Sequence, residues 1–185
     1  HRWQRPVHPR RRVAAQVSTV RHGGVLAKLL PTTVDNTVRG SRIPLYVFAP
    51  IVLASVARSI IHLFAPDSGA GSIAGVDLLA AGPLGARGIV FFLAQWGGGQ
   101  LVLALVQVLV LVRYRSLVPL LYFLLLVEIG LRMLVGHIKP MTFGHVPPGQ
   151  VGNYALLVIA LAMLSLSLRS SKQQQSNQAG EGVSQ

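Results

Sequence analysis

Two ionisable pairs sit in stretches otherwise composed for lipid. In "YFLLLVEIGLRMLVG" Glu128 precedes Arg132 by four residues, and in "ASVARSIIHLF" Arg58 precedes His62 by four. Residues four apart share a helix face. A carboxylate, two guanidiniums and an imidazole can form ion pairs, hold an anion or exchange a proton. Each full charge at mid-bilayer costs ~2.5–3.5 kcal/mol on insertion scales, and intramembrane ionisable groups are functional candidates by default. At 1.5 Å per residue, Glu128 lies about 3 Å outward of mid-span, Arg58 about 6 Å, Arg132 about 9 Å and His62 about 12 Å. Gln95 and Gln100, on a span running the opposite way, reach similar depths. The expectation is one polar cluster of Arg58, His62, Gln95, Gln100, Glu128 and Arg132, with Glu128 bridging the two arginines, because a solitary buried charge is too costly. Such a cluster is either a clasp between helices or a site. Two arginines against one glutamate leave an excess positive charge, suited to an anion, a lipid headgroup or a quinone-like carbonyl.

Beside these residues stands "AQWGGGQ". Gly97, Gly98 and Gly99 each weaken a helix by up to ~1 kcal/mol. Close helix packing explains them, with Ala94 and Gly98 as a pair of small residues four apart. The alternative is a hinge whose freed carbonyls line a cavity. His137 and His145, in the segment "GHIKPMTFGHVPPG", approach the side that His62 approaches. Three histidines can bind a metal, but these have no fixed ligand spacing and no accompanying carboxylate, so no metal or other cofactor is expected. Tyr46, Tyr114 and Tyr154 lie near span ends, where aromatic belts form.

The elements that must position these groups follow from composition. Of 185 residues 51% are hydrophobic and 12% charged, a balance foreign to soluble domains. Four apolar segments, 43–65, 88–112, 117–135 and 151–168, are each about the ~20 residues needed to cross the bilayer. With no water to satisfy the backbone, each must be helical. The predicted fold is an all-α integral membrane protein, a four-transmembrane-helix bundle over 43–168. A basic tail (1–42) precedes it and a polar tail (169–185) follows, both expected to be disordered. Val13, Val17 and Val20, followed by "VLAKLL" at 25–30, suggest an interfacial helix within the first tail. In the 66–87 loop, "IAGVDLLAA" reads either as a short capping helix or as plain connection.

The net charge of +12 is concentrated before residue 43. Arg113, Arg115, Arg169 and Lys172 share that side, whereas the 66–87 and 136–150 loops hold only Arg87 and Lys139. The positive-inside rule then gives an N-in/C-in orientation. The composition fits a bacterial cytoplasmic membrane, with an organelle membrane as the alternative, since the first 34 residues carry many arginines and no acid. Expected partners are the lipid bilayer, anionic headgroups against the basic tail, and a second copy or a larger membrane complex. Nucleic acid would be met only through phosphate charge, without specificity.

There are no cysteines, which excludes disulfides and thiolate chemistry. No phosphate-binding loop, dinucleotide fingerprint, HExxH or nucleophile elbow is present, and Glu128 is the only acid in any span. The sequence therefore points to a non-enzymatic accessory or ligand-binding subunit. The alternative is a small oligomeric transporter or channel in which Glu128 titrates.

Overall fold

A computed structural model describes residues 24–38, 40–141, 143 and 146–169, with Pro148 described through its backbone alone. The elements are α1 (Val25–Leu29), α2 (Ile43–Phe64), α3 (Gly82–Arg113), a 3-10 turn (Arg115–Leu117), α4 (Val118–Ile138) and α5 (Pro148–Leu168). No strand occurs among the described residues. Four helices are long and apolar enough to cross a membrane, the architecture of a multi-pass membrane protein. The Val13–Val20 face, the tail beyond Arg169 and His145 lie outside the described residues.

Proline marks the start of each long helix. α2, α3, α4 and α5 all carry Pro in their first two positions, where its missing N–H has no intrahelical partner to lose and its fixed φ suits a helix. This explains the largest boundary difference from the sequence reading. The apolar run begins at Gly88, but the helix begins six residues earlier, beside Pro83. Hydropathy reports what suits lipid; the helix stops only where the backbone is turned. At 32 residues, α3 extends about 48 Å, well beyond a ~30 Å hydrocarbon layer.

The helices form two hairpins. α2 packs chiefly on α3 and α4 on α5, while α3 and α4 contact each other sparingly despite the short turn that joins them. Contact between α2 and α5 joins the hairpins. The α2–α3 seam is tight because of Gly97. A Cβ there would lie 2.6 Å from His62 Cβ and 2.9 Å from both the His62 carbonyl carbon and the Leu63 nitrogen. Close packing is thus made by Gly97, not by the Ala94/Gly98 pair that the spacing suggested. Gly99 has open space around it, and α3 runs unbroken through all three glycines.

The end of the bundle bearing the chain's outer segments, here the terminal end, is closed. Phe48 and Val52 of α2, Val110 of α3, Val118 and Tyr122 of α4 and Ala160 of α5 form one buried cluster. Tyr122 is fully buried, packs at a tilt on Phe48 with centroids 5.5 Å apart, and donates its hydroxyl to the Pro44 carbonyl at 2.8 Å. The segment before α2 straps this end. The Ser116 hydroxyl accepts from Asp35 N–H at 3.0 Å and donates to the Asp35 carbonyl at 2.9 Å, and Lys28 of α1 donates to the Leu168 carbonyl at the end of α5. Patch 25–30 therefore forms only a five-residue helix docked on the bundle.

At the opposite, loop end, no helix forms over 73–81 before α3. Residues 66–75 fold instead as a compact series of turns. Asp67 organises them, its two oxygens accepting from Gly69 N–H at 2.9 Å and Gly71 N–H at 3.3 Å. Gly69 takes φ +68°, a left-handed conformation natural to glycine.

Candidate functional site

The polar residues meet between the two hairpins, on the loop side of the closed core. Arg58 and His62 project from α2, Trp96 and Gln100 from α3, Glu128 and Arg132 from α4, and Asn153 from α5. Each same-helix pair is spaced by four, one turn apart on a common face.

A hydrogen-bonded chain crosses the bundle. Arg58 Nη2 donates to Gln100 Oε1 at 2.9 Å, and Gln100 Nε2 donates to Glu128 Oε1 at 3.0 Å. Arg132 Nη2 pairs with the same Glu128 oxygen, and Arg132 Nη1 reaches Asn153 Oδ1 at 3.4 Å. The carboxylate thus contacts Arg132 directly and Arg58 only through the Gln100 amide, which differs from the expected direct bridge. An amide can do this because it offers an acceptor at one atom and donors at another. Arg58 Nε is buried without a partner.

Trp96 is the hub of the cationic side. The guanidinium carbons of Arg58 and Arg132 each lie 5.6 Å from its ring centroid, within cation–π range. The His62 ring packs against it at a tilt of 59°, with 4.9 Å between centroids. His62 is 1% exposed, and its Nδ1 lies 2.7 Å from the Ser68 carbonyl. A carbonyl can only accept, so Nδ1 carries the proton. Nε2, left as the acceptor in the neutral ring, is buried with no partner. His62 thereby ties the 66–75 turns to the site and joins the arginines through Trp96 rather than by a hydrogen bond of its own.

Gln95 does not join. Five residues from Gln100, it is rotated by about 140° around α3 and is exposed on the helix surface. Its depth matched the cluster; its azimuth did not. Trp96 and Asn153 were missing from the sequence-derived set. Trp96 shares a face with Gln100 at four-residue spacing. Asn153 is the polar interruption in "VGNYALL", a signal readable in the chain but not assignable to a partner.

The chain of side chains separates two cavities. On the loop side lies one of about 630 Å³, lined by Arg58, His62, Trp96, Arg132, Asn153 and others, including His137 and Lys139. On the terminal side lies one of about 370 Å³, lined by all four long helices and bounded by Arg58, Gln100, Glu128 and Arg132. Gln107 also lines it, and its Oε1 is buried without a partner. Beyond that cavity is the closed apolar core. No group of three metal-capable side chains occurs among the described residues. His62 and His137 line the same cavity, but Nδ1 of His62 is committed to Ser68.

These features define a four-helix multi-pass membrane protein with a polar partition across its middle. No family model matches the chain, and no curated protein or solved structure matches it either.

Proposed function

We propose that the protein is a non-enzymatic, ligand-binding membrane protein whose ligand occupies the loop-end cavity. One observation carries the reading: a cavity of about 630 Å³, within the usual size of ligand sites, has a floor of convergent polar groups and is backed by a hydrogen-bonded partition and a sealed core. A clasp between helices needs no such space. The few charges on its floor, set among apolar walls, are the usual composition of a binding site. The basic residues at the terminal end favour placing that end in the cytoplasm, so that the cavity faces outward. In this reading the protein serves as an accessory subunit of a bacterial cytoplasmic membrane, with anionic headgroups against its basic flank.

Gly136 supplies the test. It lines the cavity, and a Cβ there meets nothing within 4 Å, so a side chain can start at this position without a clash, and Gly136→Phe is the variant designed to fill the space. Native mass spectrometry of the full chain released from membranes should show a bound small molecule, absent from Gly136→Phe. No adduct on the wild-type chain, or an adduct retained by the filled variant, refutes the reading.

The second cavity favours one alternative, a small oligomeric transporter in which Glu128 titrates and the partition opens. Transport requires passage through the Phe48–Tyr122 core. Flux of a bound ligand across sealed vesicles, lost in Glu128→Gln, would select it.

A further inference from the structure

The charge on the cavity floor specifies a ligand class. Glu128 Oε1 already receives Arg132 and Gln100, whereas Arg58 hydrogen-bonds to the neutral oxygen of Gln100 and otherwise faces the uncharged Trp96 ring. Arg58 therefore has no carboxylate in contact and keeps a buried, unpartnered Nε. Glu128 lines the terminal-side cavity, while no acid is found among the described residues lining the loop-end one. The five acids of the chain are Asp35, Asp67, Asp77, Glu128 and Glu181. Asp67 and Asp77 are engaged by backbone N–H groups in their own turns. The loop-end cavity is thus cationic on its floor, with Lys139 added among its lining residues. In a weakly polar setting an unmatched cation is costly, and an anion relieves that cost.

The walls set the rest of the molecule. Ile73, Met133, Met141 and Phe143 line the same space. Methionine and aromatic side chains adapt to flexible apolar chains. At ~30 Å³ per water-sized group, the volume holds about 20 groups, enough for a headgroup with one medium-length chain.

We infer that the loop-end cavity binds a single-chain anionic amphiphile, its carboxylate or phosphate head on Arg58 and Arg132 beside Trp96 and its chain along Met133 and Phe143. This rests on the ligand-binding reading above. Quinone-like carbonyls are disfavoured because a neutral oxygen leaves the Arg58 charge unmatched.

Trp96 is a built-in reporter. The chain has two tryptophans, Trp3 and Trp96, so Trp3→Phe leaves the full chain with one, inside the site. This chain in phosphatidylcholine nanodiscs is titrated with laurate, dodecyl phosphate, dodecyl maltoside, dodecyltrimethylammonium and inorganic phosphate, with Trp96 emission as the readout. Gly136→Phe supplies the baseline for partitioning into lipid. Laurate and dodecyl phosphate should saturate the signal, and the neutral and cationic amphiphiles should bind at least about tenfold more weakly, equivalent to ~1.4 kcal/mol. Arg58→Gln should weaken the anions by about the same factor while leaving dodecyl maltoside unchanged, and Arg58→Lys should recover part of the loss. That recovery and the unchanged neutral ligand separate lost recognition from a misfolded variant. Saturation by inorganic phosphate as tight as by dodecyl phosphate would remove the chain from recognition and overturn the proposal. Equal binding of dodecyl maltoside would overturn the anion class yet leave a ligand-binding protein. No saturable response to any probe would sink both readings.

Discussion

Substituting the three consecutive glycines one at a time tests how the α2–α3 seam is built. In Gly97→Ala the new methyl would lie 2.6 Å from His62 Cβ and 2.9 Å from two backbone atoms of His62 and Leu63. Backbone atoms cannot swing aside, so the helices must separate, and overpacking of this kind costs ~1–3 kcal/mol. Alanine returns up to ~1 kcal/mol of helix propensity. The net effect is a destabilisation of up to ~2 kcal/mol. Gly98→Ala meets only Leu63 Cδ1 at 3.9 Å, an ordinary contact, and Gly99→Ala meets nothing within 4 Å. Both should gain up to ~1 kcal/mol. The propensity gain is common to both outer members of the series, so they differ by the overpacking cost of ~1–3 kcal/mol, or ~2–12 °C in Tm for a chain of this size. Thermal unfolding of each variant in one detergent, followed by circular dichroism, measures the ordering. Trp96 emission should shift in Gly97→Ala alone, because His62 carries both the contact and the ring packed on Trp96. If the three variants melt together, the close approach at Gly97 does not exist and the placement of His62 against Trp96 falls with it.

Glu128→Gln should destabilise the bundle by ~1–3 kcal/mol, below the cost of breaking a fully buried pair because the partners retain 24% and 30% exposure; chemical denaturation checks it, and Glu128→Gln combined with Arg132→Gln should recover part of the loss. Tyr122→Phe removes the hydroxyl that donates to the Pro44 carbonyl and should cost ~1 kcal/mol with the apolar core intact. Ser116→Ala deletes both side-chain bonds to Asp35 and should cost ~1–3 kcal/mol at that 3% exposed position; limited proteolysis should then cut faster within residues 30–42, and unchanged cutting would show that the strap is held by other contacts.

The length and continuity of the apolar runs determined that four segments become apolar helices, because strands that span lipid alternate polar and apolar residues and these runs do not. They also determined which residues had to be explained: Arg58, Glu128 and Arg132 are conspicuous in any apolar run, and their depth follows from the fixed rise per residue. Azimuth between helices does not follow from the sequence. A helix wheel relates Gln95 to Gln100 but cannot say which of them faces α4. Only the docking of α2 on α3 through Gly97 set Trp96 against His62 and Gln100 beside Arg58, and left Gln95 outside. The same docking put the Gln100 amide between Arg58 and Glu128, brought Asn153 to Arg132, and opened a cavity on either side of them. Local propensity is periodic along one chain, whereas a site between helices depends on which small residue permits the closest approach, and that is settled by shape.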